Sequence, residues 1–235
     1  METTRSAAGL SAPPALEAAE ANEAVRQGAC GVTAATSEPV HLAGALELAA
    51  RFDLPPVRPE NRVPTSCLPG VGRLLATLAA STSVRPEAVV LELGTGAGVG
   101  TAWLAHGLAP GARLITVEAE AERATAVGAL FAGDPRVSVV HSDWHTVEPP
   151  RGGACLLFAD AGLRREIHPP AWDEIVDLLD IGGLLVFDDL TPPGGPTLLD
   201  NEEDKRRFVF GHPRLRGVEV AVSGESSVLV AARHA

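Results

Sequence analysis

Tyrosine is absent from this 235-residue chain. Neither a tyrosine base nor a tyrosine-lined aromatic cage is therefore open to it. Cysteine is scarce: Cys30, Cys67 and Cys155 are odd in number, and none has C-x-x-C spacing. That argues against a disulfide frame or a cysteine zinc site and fits the reduced thiols of a cytoplasmic protein. No apolar run approaches the roughly 20 residues of a membrane-spanning helix, so no membrane partner is expected. Residues 1–10 lack the basic-then-apolar order of a secretory signal. Positive charge is also short. With 19 Lys and Arg against 30 Asp and Glu, the formal net charge is −11. A nucleic-acid backbone is thus a poor candidate for the main partner. The length allows one substantial α/β domain plus a short extension, with enough buried surface to need no covalent staple.

What the chain does have is glycine in one telling place. The run Val89-Val90-Leu91-Glu92-Leu93 has the apolar character of a buried strand. Gly94-Thr95-Gly96-Ala97-Gly98 follows, and then Thr101-Ala102-Trp103-Leu104-Ala105, which suits a helix. Strand, glycine turn and helix in that order bring a backbone loop close under a ligand. A dinucleotide site asks for G-x-G-x-x-G, but the third position here is Val99. An acid, Glu92, also precedes the turn. A carboxylate there repels a pyrophosphate and favours a cationic ligand. S-adenosylmethionine (SAM), with a sulfonium, an ammonium and no phosphate, has the required charge.

The rest of the chain divides on either side of that turn. Residues 1–64 read as an N-terminal helical arm and linker. Pro13 and Pro14 open a thin helix over 15–20, His41–Phe52 is a firmer one with Leu42, Ala45, Leu46 and Ala49 on one face, and 53–64 holds four prolines. Residues 65–235 read as the main domain. Pro69–Gly72 leads into a helix over 73–81, with Leu74, Leu75 and Leu78 facing the core. After the glycine turn, strands are expected at 113–117, 136–140, 154–159 and 184–187, with helices at 121–132, 171–179 (closed by Gly182-Gly183) and 200–210. Asp200 and Glu203 have capping-box spacing. Two final strands, 217–222 and 227–232, flank a short gap and form an antiparallel hairpin. Repeated βα units imply a doubly wound, mostly parallel sheet of seven strands with its ligands at the carboxyl edge. Four strand ends on that edge carry acids: Glu92, Glu118, Asp160 and Asp188-Asp189.

The stretch from about Ser66 to Ala232 resembles the class I SAM-dependent methyltransferases, in particular the branch that includes the catechol and caffeoyl-CoA O-methyltransferases. The matching pieces are Pro69–Leu75, the Leu91–Gly98 turn, Ile115–Glu118, Leu157–Asp160 and Val186–Asp189. The resemblance implies a Rossmann-like methyltransferase fold with an antiparallel C-terminal strand. It places Glu92, Gly94, Gly96 and Gly98 at SAM, Glu118 on the ribose hydroxyls, and Asp143 and Trp144 beside the adenine. Asp160 would face the methyl-transfer centre, and Asp160, Asp188 and Asp189 would form a site for Mg²⁺ or another divalent cation. A homodimer and a small hydroxylated or phenolic acceptor are also implied.

This chain departs from the branch at two points. The fifth strand ends in Asp188-Asp189 instead of Asp-Asn, and Leu163 stands where catechol enzymes carry a lysine base, followed by Arg164 and Arg165. Arginine stays protonated and makes a poor base. His168, in the loop after Asp160, is then the candidate base, ahead of His141 and His145. Lys205-Arg206-Arg207, set among Glu202, Glu203 and Asp204, reads as a solvated helical face. The loop Pro192–Pro196 reads as a lip over the acceptor. Two rivals to a metal-assisted O-methyltransferase stay open: a metal-independent enzyme acting on an amine, tRNA or protein, and a SAM-binding protein without catalysis.

Overall fold

Val89–Leu93 forms strand β1, and all five residues are buried. A strand covered by helices on both faces reads as an unbroken apolar run, and β1 obeys this except at Glu92. The computed structural model describes residues 37–58, 65–161, 169–195 and 197–235. The expected helix over 15–20, Cys30, Leu163, Arg164, Arg165 and His168 lie outside these residues.

Helices α1 (Leu42–Arg51) and α2 (Pro69–Thr82) precede β1. Then follow α3 (Val99–Gly107), β2 (Arg113–Glu118), α4 (Ala121–Leu130), β3 (Val137–His141) and β4 (Ala154–Ala159). The chain closes with α5 (Pro169–Asp177), β5 (Leu179–Leu190), α6 (Glu202–Gly211), β6 (Leu215–Ala221) and β7 (Ser227–Arg233). These strands make one seven-stranded sheet in the order β3-β2-β1-β4-β5-β7-β6. Strands β1 to β5 pair in parallel, and β7 runs antiparallel to both neighbours. The expected doubly wound architecture is the one observed. The order reverses between β1 and β4, and that switch point opens a crevice at the carboxyl ends of the strands.

Side chains alternate across the sheet, as strand geometry requires. Val90 joins a core with Ala45, Val71, Leu75 and Leu104 from α1, α2 and α3. Leu91 and Leu93 join the opposite core with Trp172 and Ile175 of α5. Residues 37–235 close into one compact unit, and α1 packs on it through Ala45 and Ala49. Leu46, expected on that face, is instead 42% exposed, and Leu48 takes its place against the core.

Two local expectations are corrected. Helix α5 stops at Asp177, and Gly182-Gly183 lie inside β5 instead of closing a helix. Gly183 is needed there for space, since a Cβ would come 2.5 Å from the Ala154 carbonyl oxygen. The capping box at Asp200 and Glu203 does not form: α6 begins at Glu202, and its N-cap Asn201 makes no side-chain cap bond.

Candidate active site

The glycine turn between β1 and α3 sits at the switch point, and Gly94, Gly96 and Gly98 have φ of 97°, 55° and 85°. All three values lie in the left-handed region that favours glycine. The turn is pinned on both sides. The amides of Gly94 and Thr95 donate to the Val117 carbonyl at 2.9 and 3.1 Å, while those of Asp160 and Ala161 donate to Leu93. A Cβ on Gly94 would lie 2.4 Å from the Ala161 nitrogen, and one on Gly98 would lie 2.9 Å from Val127 Cγ1. Gly96 differs: a Cβ there would meet nothing within 4 Å. Gly94 and Gly98 are thus required by the fold, and Gly96 faces the open crevice.

Glu118 ends β2 directly beside this opening. One carboxylate oxygen accepts the Gly96 amide at 2.8 Å; the other accepts the Glu120 amide at 2.9 Å and the Arg123 guanidinium at 2.8 Å. It is 4% exposed and fixes the turn to the second strand. The third strand leads to Ser142, whose amide donates to the Glu118 carbonyl at 3.0 Å. Asp143 then caps a short 3₁₀ turn by accepting the His145 amide at 3.0 Å. Trp144 is half-buried and stacks on the His145 ring at 3.7 Å. The structure thereby brings Gly96, Glu118 and the Asp143-Trp144 turn to one stretch of the sheet edge.

Glu92 belongs to β1, immediately before the turn. It is 1% exposed and lies beneath the turn, where one oxygen accepts the hydroxyls of Thr101 at 2.5 Å and Thr116 at 2.6 Å. Gly100 leaves it room, since a Cβ there would come 2.5 Å from Glu92 Oε1. Burial pushes its carboxyl up to about 7, the two hydroxyls pulling the other way. Its contacts are with the support of the glycine turn.

Asp160, Asp188 and Asp189 do come together, at the ends of the neighbouring strands β4 and β5. Desolvation by burial, then repulsion from Asp189 and Asp188, raises the Asp160 carboxyl well above the usual range. Burial, followed by Asp189, raises Asp188 to about 7. Asp189 is also raised by burial and has a left-handed φ of 60°. Cys67, just before α2, is buried beside this group, and burial with the Asp188 charge keeps it a thiol.

The residues that the sequence reading missed lie on α6. Lys205 is 5% exposed, and its ammonium donates to the Asp188 carbonyl at 2.7 Å. It acts on all three aspartates as an opposing charge. Arg206 donates to the Thr191 carbonyl at 2.5 Å and to both oxygens of Glu219 at 2.8 and 2.9 Å. Buried Glu202 accepts the amides of Thr191, Leu198 and Leu199 at 2.8, 2.8 and 3.0 Å, and the Thr191 hydroxyl at 3.2 Å. The solvated-face reading therefore holds only for Arg207, which is exposed and pairs with Asp204. The i, i+3, i+4 spacing of Glu202, Lys205 and Arg206 was the available signal, because it puts the three on one helical face.

Among the described residues no three His, Cys, Asp or Glu side chains are grouped so as to hold a metal ion.

A family model described as a methyltransferase domain matches residues 91–190, from β1 through β5. No curated protein matches the sequence. Solved structures match along most of the chain. The O-methyltransferase from Bacillus cereus, in complex with S-adenosylhomocysteine, is 19% identical and covers 89% of this chain and 97% of its own, with a TM-score of 0.64. TomG from Streptomyces achromogenes, an O-methyltransferase involved in tomaymycin synthesis and solved with SAM, is 22% identical over 90% and 96%, at 0.64. Cofactor-bound Rv0187 from MTB is 24% identical over 94% and 99%, at 0.66. Residues 91–190 accordingly match a methyltransferase-domain model, and the chain shares the fold of these SAM- and S-adenosylhomocysteine-bound O-methyltransferases.

Proposed function

We propose that the protein transfers the SAM methyl group to an oxygen of a small hydroxylated or phenolic acceptor. The observation that carries this is the shape of the carboxyl edge. An open glycine, Gly96, and the carboxylate of Glu118 stand on one side of the switch point, and the Asp160–Asp188–Asp189 group stands on the other. SAM lies over Gly96 with its ribose hydroxyls on the remaining lone pairs of Glu118, a charge-assisted contact. Asp143 and Trp144 flank the adenine. The sulfonium then points toward Asp160.

Methyl transfer is an in-line displacement, in which the acceptor C–O bond forms as the sulfonium S–CH₃ bond breaks, and S-adenosylhomocysteine leaves. Much of the acceleration comes from holding the acceptor on that axis. The hydroxyl proton passes to an aspartate of the edge, Asp160 being the nearest to the glycine turn. Burial makes that carboxylate a better proton acceptor than an exposed one. The loop after β5 forms the lip of the acceptor site. Support for oxygen as the accepting atom comes from the O-methyltransferases among the similar structures. Assembly as a homodimer belongs to the same proposal, and a monomer by light scattering at micromolar concentration would remove it.

The test is turnover of methyl-labelled SAM on a panel of catechols, phenols and aliphatic alcohols, with amines and tRNA as controls. Label in a methyl ether is the expected result. Label only in an amine or in tRNA would overturn the oxygen assignment. SAM binding without turnover on any acceptor would favour a binding protein.

A further inference from the structure

Glu118 is already nearly saturated with donors. A carboxylate accepts at about four lone-pair positions. One oxygen takes the Gly96 amide at 2.8 Å, and the other takes the Glu120 amide at 2.9 Å and the Arg123 guanidinium at 2.8 Å. Both positions on that second oxygen are thus filled, and a ribose that sets one hydroxyl on each oxygen needs one of them back. The three donors differ in freedom. The Gly96 amide lies in the pinned turn, and Glu120 is the N-cap of α4, its carbonyl accepting the Ala124 amide at 2.9 Å. Neither leaves without undoing its element. Arg123 reaches Glu118 with a long, flexible side chain that is 32% exposed. Its Nε is buried and has no acceptor among the described residues. The pose therefore holds Glu118 through Nη2 while stranding a second donor, an unfavourable state that contact with water relieves. Without a ligand, however, a buried carboxylate needs a counter-charge, and Arg123 supplies it.

We propose that Arg123 is a positioning residue that stands in for a ribose hydroxyl: it holds Glu118 while the cofactor is absent and swings to solvent when the cofactor binds. The proposal rests on the reading of Glu118 as the acceptor of the ribose hydroxyls. Cofactor binding must then break the Arg123–Glu118 pair, so affinity is lower than the ribose contact alone would give. The same competition works in reverse after methyl transfer. Arg123 returns to Glu118 as the ribose of S-adenosylhomocysteine lifts away, which favours release of the product.

The experiment compares wild type with Arg123→Met, which keeps a long apolar stem and removes the charge. Calorimetry on the full chain with S-adenosylhomocysteine should show the variant binding about three- to tenfold more tightly. Thermal unfolding gives a second readout. Without ligand the variant should melt below wild type, because Glu118 has lost its counter-charge. At saturating S-adenosylhomocysteine the two should melt together, because Arg123 is then in solvent and its removal costs nothing. An arginine with a merely structural role would keep the gap at saturation. Equal or weaker affinity in a folded Arg123→Met overturns the proposal, and so does a gap that persists. If the variant does not fold, crystal structures of wild type with and without S-adenosylhomocysteine decide. An Arg123–Glu118 contact present only without the ligand supports the proposal, and one present in both overturns it. Wild type that binds neither SAM nor S-adenosylhomocysteine removes the cofactor reading and this proposal with it. Binding with the Arg123–Glu118 contact intact removes this proposal alone.

Discussion

Replacing Glu92 with glutamine should abolish one specific component of the pH dependence of stability. The carboxyl is buried, and its value rises from 4.5 to about 7 on folding. A raised carboxyl binds its proton more tightly in the folded chain than in the unfolded one. Between pH 4.5 and about 7 the folded state therefore holds the extra proton, and stability falls as pH rises through that window. At about 1.4 kcal/mol per pH unit, the loss is on the order of 3 kcal/mol and is complete above the folded value. Glutamine has no proton to lose. Its carbonyl still accepts from Thr101 and Thr116, but its amide must fit in the space beside Gly100. That packing cost is independent of pH, so it cancels when variant and wild type are compared at two pH values. Urea unfolding at pH 5 and pH 8.5 should thus show Glu92→Gln gaining on wild type by roughly 2–3 kcal/mol between them. Asp188 also contributes a fall over a similar range, but it is common to both proteins and drops out. A difference that stays flat with pH would refute the reasoning, since it would mean that Glu92 titrates alike in both states.

Glu118→Ala should weaken SAM by about 1.5–3 kcal/mol in calorimetry, the range of a charge-assisted hydrogen bond, and unchanged affinity would remove Glu118 from the ribose. Gly96→Ala should cost only about 1–2 kcal/mol of stability, from the left-handed backbone, yet lower SAM affinity by about tenfold or more, because its methyl enters the crevice. An equal loss in Gly94→Ala affinity and stability would mark the contrast, as that Cβ strikes Ala161 and unfolding should dominate. Glu202→Ala removes a buried acceptor of four donors and should cost about 3–5 kcal/mol, lowering the melting temperature by at least about 6 °C in a scanning experiment. A fall of less than a degree would show that residues 191–199 are held by something else.

The parts of the fold legible in sequence are those where one local rule speaks unopposed. Val89–Leu93 and Ala154–Ala159 are wholly buried parallel strands, and continuous apolar runs announce them. The start of β5 was not legible, because Gly182-Gly183 looks like a helix stop while the sheet uses it for close approach to Ala154. At the site, the acids at strand ends were visible, since each ends an apolar run. Their depth was not. Glu92 and Glu118 are both glutamates next to a loop, and only the threonines of a neighbouring strand and helix draw Glu92 under the turn. Lys205 was hidden for a related reason. Charges of both signs crowd residues 202–207, and spacing cannot say which side of a polar helix meets the sheet.

The hold of Glu202 on the segment after β5 is almost blind to side chains. Three of its four donors are main-chain amides, those of Thr191, Leu198 and Leu199. Every amino acid but proline offers such an amide. Residues 192–197 can therefore be exchanged, lengthened or shortened while both ends remain clamped to the same helix. The segment proposed as the rim of the acceptor site is in that sense a replaceable cartridge, and the glycine turn at the other side of the switch point would not register the swap. A loop library has an insertion point here that asks only that residues 191, 198 and 199, on either side of the insert, not become proline.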